Sequence, residues 1–465
     1  MNKRVFARLA LMEEAMQTDN IQSVPKVSGL PFFGGMHRMR LDPLAFLTSA
    51  RKDPVVLLGR LPWKRYYLIN DPHLIEAVFL DHTGTFQMTR DSDVLRALFD
   101  KSIFMLKGEA WITRRRLLHP AFHSSRFAQL MSEMSEPIQA ALNSLRHSAS
   151  TRQTIDIEAL ALDLVQQVIV RIMFGQDFKE SGELLRSVFN TGMTYRQSRR
   201  WSLANLPLWV PTPRNVDFRH SLSELNRIMR QIVAEHAEDP PHSASLLTLL
   251  FEVRDPDTNT GLTETQIVEE VKTIFNTGYV TTAVAVAWTI YAIASHPQIE
   301  EKVREELSEI VTGPVPSFEE AKRLRYLSRV VKESLRLYPP GWMTTRRVSK
   351  DTVLGDYLLR SGSTIIMSQY VNHRDPAIWD HPEEFDPARF EEPTKDERPK
   401  FAYYPFGAGP RQCIGKEIAL LELMAIIPAL LKNYRFTIIA DQEVGMWPLS
   451  ALKPRFGIQA RIEAI

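Results

Sequence analysis

Apolar positions recur along this chain at two spacings, and the three-to-four-residue spacing of helices covers far more of it than the alternation of strands. Val55-Val56-Leu57-Leu58 and Tyr66-Tyr67-Leu68-Ile69, set around Leu61-Pro62-Trp63-Lys64, predict a hairpin. Asp71-Pro72 then opens a helix, and several amphipathic helices follow between Ser124 and Ser245. Aromatics and prolines interrupt that rhythm from Met193 to Trp201 and again from Pro207 to Pro213. Thr263-Glu264-Thr265-Gln266 is a capping box, in which Gln266 reaches back to the Thr263 N-cap. The helix it starts should run to His296-Pro297, roughly 30 residues or about 45 Å at the usual rise. Arg325 to Leu337 and the stretch from Lys416 also read as helix, and Phe436-Thr437-Ile438-Ile439 as a strand. The pattern predicts a mainly α chain with a small β portion.

The long helix is apolar enough for either of two environments. Thr273 to Ser295 contains no charged residue, which suits a membrane span. Asn276, Gly278 and the threonines 277, 281, 282 and 289, with no second run of this kind, favour a buried central helix instead. Glycine inside a helix costs about 1 kcal/mol. Threonine hydroxyls can bond the carbonyl one turn back and bend the axis. Thr277-Gly278-Tyr279-Val280-Thr281-Thr282 could therefore widen locally and admit a small ligand.

Composition narrows the classes. Lys and Arg number 57 against 55 Asp and Glu, so no global charge favours nucleic acid. Met1 to Gln17 is too short and too charged for a signal peptide or membrane anchor. Residues 1–24 read as a lead-in, and the proline- and glycine-punctuated Pro25 to Gly35 starts the domain proper. Cys413 is the only cysteine in 465 residues, which excludes an intrachain disulfide and any multi-cysteine metal site. It also fits a reducing cytoplasm.

Cys413 lies in Phe406-Gly407-Ala408-Gly409-Pro410-Arg411-Gln412-Cys413-Ile414-Gly415, just before a helix. Unpaired N–H groups and the positive end of the helix dipole should lower its thiol pKa and favour thiolate. Gly407 and Gly409 allow turns that a side chain would block, and close approach by a flat ligand. A thiolate so presented suits an axial bond to haem iron. A lone buried cysteine beside an ordinary loop is the bland alternative. The whole pattern, Phe-x-x-Gly-x-Arg-x-Cys-x-Gly, resembles that of the cytochrome P450 family.

Other motifs extend the resemblance over most of the chain. Trp111 and Arg115, four apart on one helix face, resemble the family's Trp-x-x-x-Arg helix, whose side chains reach a haem propionate. Arg114 and Arg116 point elsewhere and could help dock an acidic electron donor. Glu333 and Arg336 resemble its Glu-x-x-Arg ion pair, completed by Arg389 in Phe385-Asp386-Pro387-Ala388-Arg389-Phe390. Arg346 stands where the family has another propionate-binding arginine, with Arg347 one residue away, and Arg411 should face a propionate too. Phe406 and Gly278 join the expected cofactor contacts. Thr281, followed by Thr282, matches the threonine that helps deliver protons during oxygen activation. Val280 departs from the family, which usually has an acidic residue there, and valine cannot relay a proton.

The resemblance implies a single P450 domain over residues 25–465, with its small β-rich part from N- and C-terminal strands. It also implies haem b ligated by Cys413, and insertion of one oxygen atom of O2 into an apolar small molecule, in secondary metabolism. No flavin or nicotinamide domain fits, so electrons should come from a separate ferredoxin or flavodoxin and its reductase. Phe275, Tyr279, Val280, Trp342 and Met343 are the expected substrate-pocket residues, and Arg90 and Arg96 could meet a carboxylate. Oxidative coupling, rearrangement or dehydration without net oxygen insertion is the alternative that Val280 raises. A non-catalytic haem sensor is a second rival, for which Thr281 offers no reason.

Overall fold

The computed structural model describes residues 21–30, 33–61, 64–89, 93–99, 101–175, 195, 206–238, 245–391 and 398–465. Short helices α1 (Met36–Leu41) and α2 (Pro43–Ser49) lead to strands β1 (Val55–Leu61) and β2 (Lys64–Ile69). These two pair antiparallel, with Val55 opposite Ile69, as the hairpin pattern requires. Helix α3 (Pro72–Phe79) starts where Asp71 accepts the N–H groups of His73 and Leu74, satisfying donors the first turn leaves open. Strand β3 (Phe86–Met88), α4 (Asp93–Phe99) and α5 (Gly108–Leu118) follow. Then come α6 (Phe127–Ser150), β4 (Thr154–Asp156) and α7 (Ile157–Phe174). The segment from Met193 to Trp201 lies outside the described residues except for Tyr195.

Helices α8 (Pro213–Glu238) and α9 (Leu246–Glu252) precede α10 (Glu264–Ala294). The capping box forms as the sequence predicts. Thr263 Oγ1 accepts the Gln266 N–H at 3.3 Å, and Gln266 Oε1 accepts the Thr263 N–H at 2.9 Å. Next are α11 (Pro297–Ile310), α12 (Phe318–Arg323) and α13 (Arg325–Leu337). The strands β5 (Thr344–Val348), β6 (Thr352–Leu354), β7 (Tyr357–Leu359) and β8 (Thr364–Met367) lead to α14 (Gln369–Asn372). The chain ends with α15 (Lys416–Asn433), β9 (Tyr434–Ile438), β10 (Met446–Pro448), β11 (Leu452–Pro454) and β12 (Gln459–Ala464).

The chain divides into two compact units. The first, residues 1–89, 343–382 and 396–412, holds a five-stranded sheet in the order β1-β2-β8-β5-β3 and the β6-β7 hairpin. Its core gathers Val55, Tyr67, Ile69, Phe79, Ile365, Met367, Phe401 and Tyr404, all buried. The second unit, residues 90–342, 383–395 and 413–465, carries most of the helices, with the β4-β12-β9 sheet and the β10-β11 pair.

Within that second unit α10 packs along α7 and against α8, α13 and α15. It is the one described helix long and apolar enough to cross a membrane, and 67% of its most apolar window is buried by its own protein. Trp288 anchors it, donating its indole N–H to Leu452 O at 2.8 Å and stacking on Tyr338 at 4.4 Å. A helix apolar on nearly every side is accommodated by neighbours on nearly every side.

Candidate active site

Phe406, Gly407, Gly409 and Arg411 belong to the first unit, Cys413 to the second. Gly407 and Gly409 both take φ of +67°, in the left-handed region that favours glycine. A Cβ on Gly409 would meet the Phe79 carbonyl oxygen at 2.2 Å, whereas one on Gly407 would meet nothing within 4 Å. Gly409 thus serves backbone packing, and beside Gly407 there is open space. Phe406 and Arg411 are half-buried.

Cys413 stands three residues before the first residue of α15 and is exposed. Protein nevertheless crowds it closely enough for desolvation to push its thiol pKa up. The sequence predicts a lowered pKa. Here the Gly415 N–H, Arg115 and Lys416 do pull it down, but the loss of water outweighs them. A bound metal cation would supply the missing stabilisation of the thiolate.

Trp111 and Arg115 lie on the same face of α5 and line a cleft of about 520 Å³ with Arg116, His119, Arg254 and Pro256. Burial lowers the Arg115 pKa, and the Cys413 charge pulls it back up. Arg115 is therefore within electrostatic reach of the sulfur. Arg114, which the sequence places at the surface for a partner, is buried, whereas Arg116 is exposed. Arg114 is buried against Glu270 at 2.5 Å, and Arg116 donates to Asp255 and Asp257, each at 2.6 Å.

In the first unit, strand alternation decides between the two neighbouring arginines: Arg346 is buried and Arg347 exposed. Arg346 donates to the Thr345 carbonyl at 2.9 Å and lies over the Phe79 ring. No carboxylate partners it among the described residues, and burial lowers its pKa to about 10. A buried cation without an anion fits a propionate.

Glu333, Arg336 and Arg389 come together. Arg336 donates Nε and Nη2 to the two Glu333 oxygens at 2.7 and 2.8 Å, and Nη2 also reaches the Glu384 carbonyl at 2.9 Å. The Asp386 N–H adds a bond to Glu333 at 2.9 Å. Arg389 Nε approaches Glu333 Oε1 to 3.4 Å, at ion-pair distance but without hydrogen-bond alignment.

On α10, Thr277 and Thr281 are exposed, and Ile274, Gly278 and Val280 partly so, in the middle of an otherwise buried helix. Residues 274, 277 and 281 share one face. The Thr281 hydroxyl donates to Thr277 O at 2.7 Å, and Thr277 to Thr273 O at 2.7 Å, the back-bonding expected of these residues. The helix remains continuous. A Cβ on Gly278 would lie 2.8 Å from Ile169 Cδ1, so a larger residue there would require that side chain to shift.

Three expected pocket residues are buried. Phe275, Tyr279 and Trp342 are 0%, 2% and 2% exposed. Phe275 and Tyr279 stack on one another, and the Trp342 indole donates to Leu449 O at 3.0 Å. A helix apolar all round does not announce which apolar face meets a ligand. Val280 and Met343 keep partial exposure. Arg96 is exposed on α4, and Arg90 lies outside the described residues.

The structure adds a residue that the sequence pattern does not single out. Glu422 on α15 is buried near Thr282, and burial pushes its carboxyl up to about 8, with Thr282 pulling weakly back. Neither Thr282 Oγ1 nor Glu422 Oε1 achieves a hydrogen bond among the described residues. Its place nine residues after Cys413, on the helix that follows, is the only signal the sequence holds.

An exposed cysteine ahead of a helix in the second unit, an open threonine face on that unit's central helix, and in the first unit a buried arginine with no carboxylate partner among the described residues are each of the kind a thiolate-ligated haem protein uses. Residues 25–455 match the profile of the family described as Cytochrome P450, and the chain belongs to that family. It is a haem-dependent oxidoreductase, a P450 monooxygenase. Among similar proteins is cyclooctat-9-en-7-ol 5-monooxygenase of Streptomyces melanosporofaciens, 29% identical, the match spanning 87% of this chain and 88% of the relative. Cyclooctatin synthase of the same organism is 30% identical over 91% and 92%. The fold matches the retinoic acid-bound cyanobacterial CYP120A1 with a TM-score of 0.84 at 21% identity, covering 96% of this chain and 100% of that one. It matches the cytochrome P450DA heme domain at 0.86 and 22%, covering 96% and 98%.

Proposed function

We propose that this chain, with haem b, inserts one oxygen atom of O2 into an apolar, moderately large organic molecule of secondary metabolism. Its electrons come from a separate ferredoxin or flavodoxin and its reductase, in the cytoplasm. The observation that carries this reading is Cys413, the sole cysteine, exposed yet crowded by protein and within electrostatic reach of Arg115.

Haem would supply the oxidising power once bound. Cys413 would ligate its iron, and Trp111, Arg115, Arg346 and Arg411 would hold its propionates. Phe406 would pack beside it. The Glu333–Arg336–Arg389 cluster holds the residues around Glu384 and Asp386 in place. The Thr281 hydroxyl is turned to its own helix but keeps acceptor capacity on the open face. Val280 cannot hold a proton. Glu422, pushed up to about 8, is protonated at neutral pH and sits next to Thr282, where it can serve as the proton store.

Ile274 and Val280 on α10 offer apolar surface to a guest. The name of the relative that oxidises cyclooctat-9-en-7-ol supports a largely hydrocarbon substrate, such as a terpenoid. Val280 also favours a second reading, in which the same site couples, rearranges or dehydrates its substrate without net oxygen insertion. Oxygen consumption matched to product oxygen content separates the two.

The reading is tested by reducing the purified protein under carbon monoxide. The parent should show thiolate-type absorption and Cys413→Ser should lose it. An unchanged spectrum in the variant would overturn the assignment.

A further inference from the structure

We propose that Glu270 is a positioning residue: it sets the rotation of α5, and so the aim of Arg115, and ties that setting to the segment 101–106. The proposal rests on the haem reading above. Arg114 precedes Arg115 on α5, and its side chain is 8% exposed against 0% for Glu270 on α10. Arg114 Nη1 donates to Glu270 Oε1 at 2.5 Å and to the Lys101 carbonyl at 3.4 Å. The same Glu270 oxygen accepts the Ile103 N–H at 2.8 Å. One atom of the central helix therefore gathers both α5 and the turn that precedes it.

Adjacent residues on a helix diverge by about 100°. Whatever fixes Arg114 fixes the roll of α5 about its axis, and with it the direction of Arg115. The segment is itself compact: the buried Ser102 donates its hydroxyl to Phe99 O at 2.9 Å, and Met105 and Leu106 both bond back to Ser102 O. A displacement of this turn would reach Arg114, and through it Arg115, by way of the shared Glu270 oxygen and the Lys101 carbonyl.

Stability alone does not call for a buried ion pair here, because apolar side chains of similar volume usually serve as well. What an ion pair adds is direction. Glu270 Oε2, moreover, is buried without a hydrogen-bond partner among the described residues, which a purely structural pair would be expected to satisfy.

The test compares the haem-loaded parent with Glu270→Gln and with the double variant Arg114→Leu/Glu270→Met, which removes both charges at similar volume. Three quantities are read: the rate of haem transfer to apomyoglobin, the midpoint reduction potential and the thermal midpoint. Glu270→Gln should lose haem about tenfold faster, the scale of one charge-assisted bond. The double variant should recover the thermal midpoint while haem transfer stays fast and the potential stays shifted. Parental transfer rate and potential in either variant would overturn the proposal and leave the pair merely structural. Should Glu270→Gln not fold, Glu270→Asp keeps the charge on a shorter arm and is expected to give a smaller acceleration of haem loss, with parental values again the overturning result. The parent's spectrum under carbon monoxide is recorded first: a missing thiolate band sinks the haem reading, whereas a normal band with unchanged variants sinks only this inference.

Discussion

Two fully buried glutamates, Glu333 on α13 and Glu270 on α10, each hold an arginine, yet they are satisfied differently. Glu333 spreads its load: Arg336 takes both oxygens, the Asp386 N–H bonds one, and Arg389 stands close by. Glu270 puts Arg114 and the Ile103 N–H on a single oxygen and leaves the other without a hydrogen bond among the described residues. Burial pushes the Glu270 carboxyl up to about 7, against the pull of Arg114. The first arrangement is a closed lock; the second is a directional tether with capacity to spare.

The largest effect should follow from opening the lock. Glu333→Ala strands Arg336 in the interior, and removing one partner of a buried pair costs about 3–5 kcal/mol. Denaturant unfolding and the yield of haem-loaded protein should both register it, and a loss under about 1 kcal/mol would show that the cluster is not the lock described here.

The tether should show itself in pH. The folded-state carboxyl of Glu270, at about 7, lies above its ordinary 4.5, so the folded protein binds that proton before the unfolded chain does. Its contribution is complete at acid pH and fades as pH rises through 7. Glu270→Gln, neutral at every pH, should flatten the stability–pH curve between 4.5 and 7. A slope as steep as the parent's would place the titration elsewhere.

Glu422 offers the mildest test. Its carboxyl, pushed to about 8, is already neutral near pH 7, so Glu422→Gln exchanges one neutral group for another of the same shape. The expected loss is about 1 kcal/mol or less. The infrared band of a protonated buried acid should vanish, having titrated near pH 8 in the parent. A loss as large as that of Glu333→Ala would mean that Glu422 is ionised in place.

Much of the frame is legible in the sequence. The Thr263–Gln266 capping box, the Asp71 cap, the 55–69 hairpin and the 325–337 helix all form as their patterns require, because each depends on residues close together in the chain. The Glu333–Arg336 contact is legible for the same reason, whereas Arg389 is found only through its family motif. Sequence spacing misplaces Arg114 at the surface because its partner is 156 residues away. It also gives the wrong direction for the Cys413 pKa, because local dipoles are visible in sequence and desolvation is not.

By itself the sequence determined where the helices begin, which cysteine is available and which family the motifs serve, since caps, spacings and single residues act over short stretches of chain. Only the tertiary structure decided which face of α10 stays open, which of two adjacent arginines turns inward and which carboxylates lose their water. Those outcomes depend on what packs against each side chain from distant parts of the chain, and burial is a property of that packing.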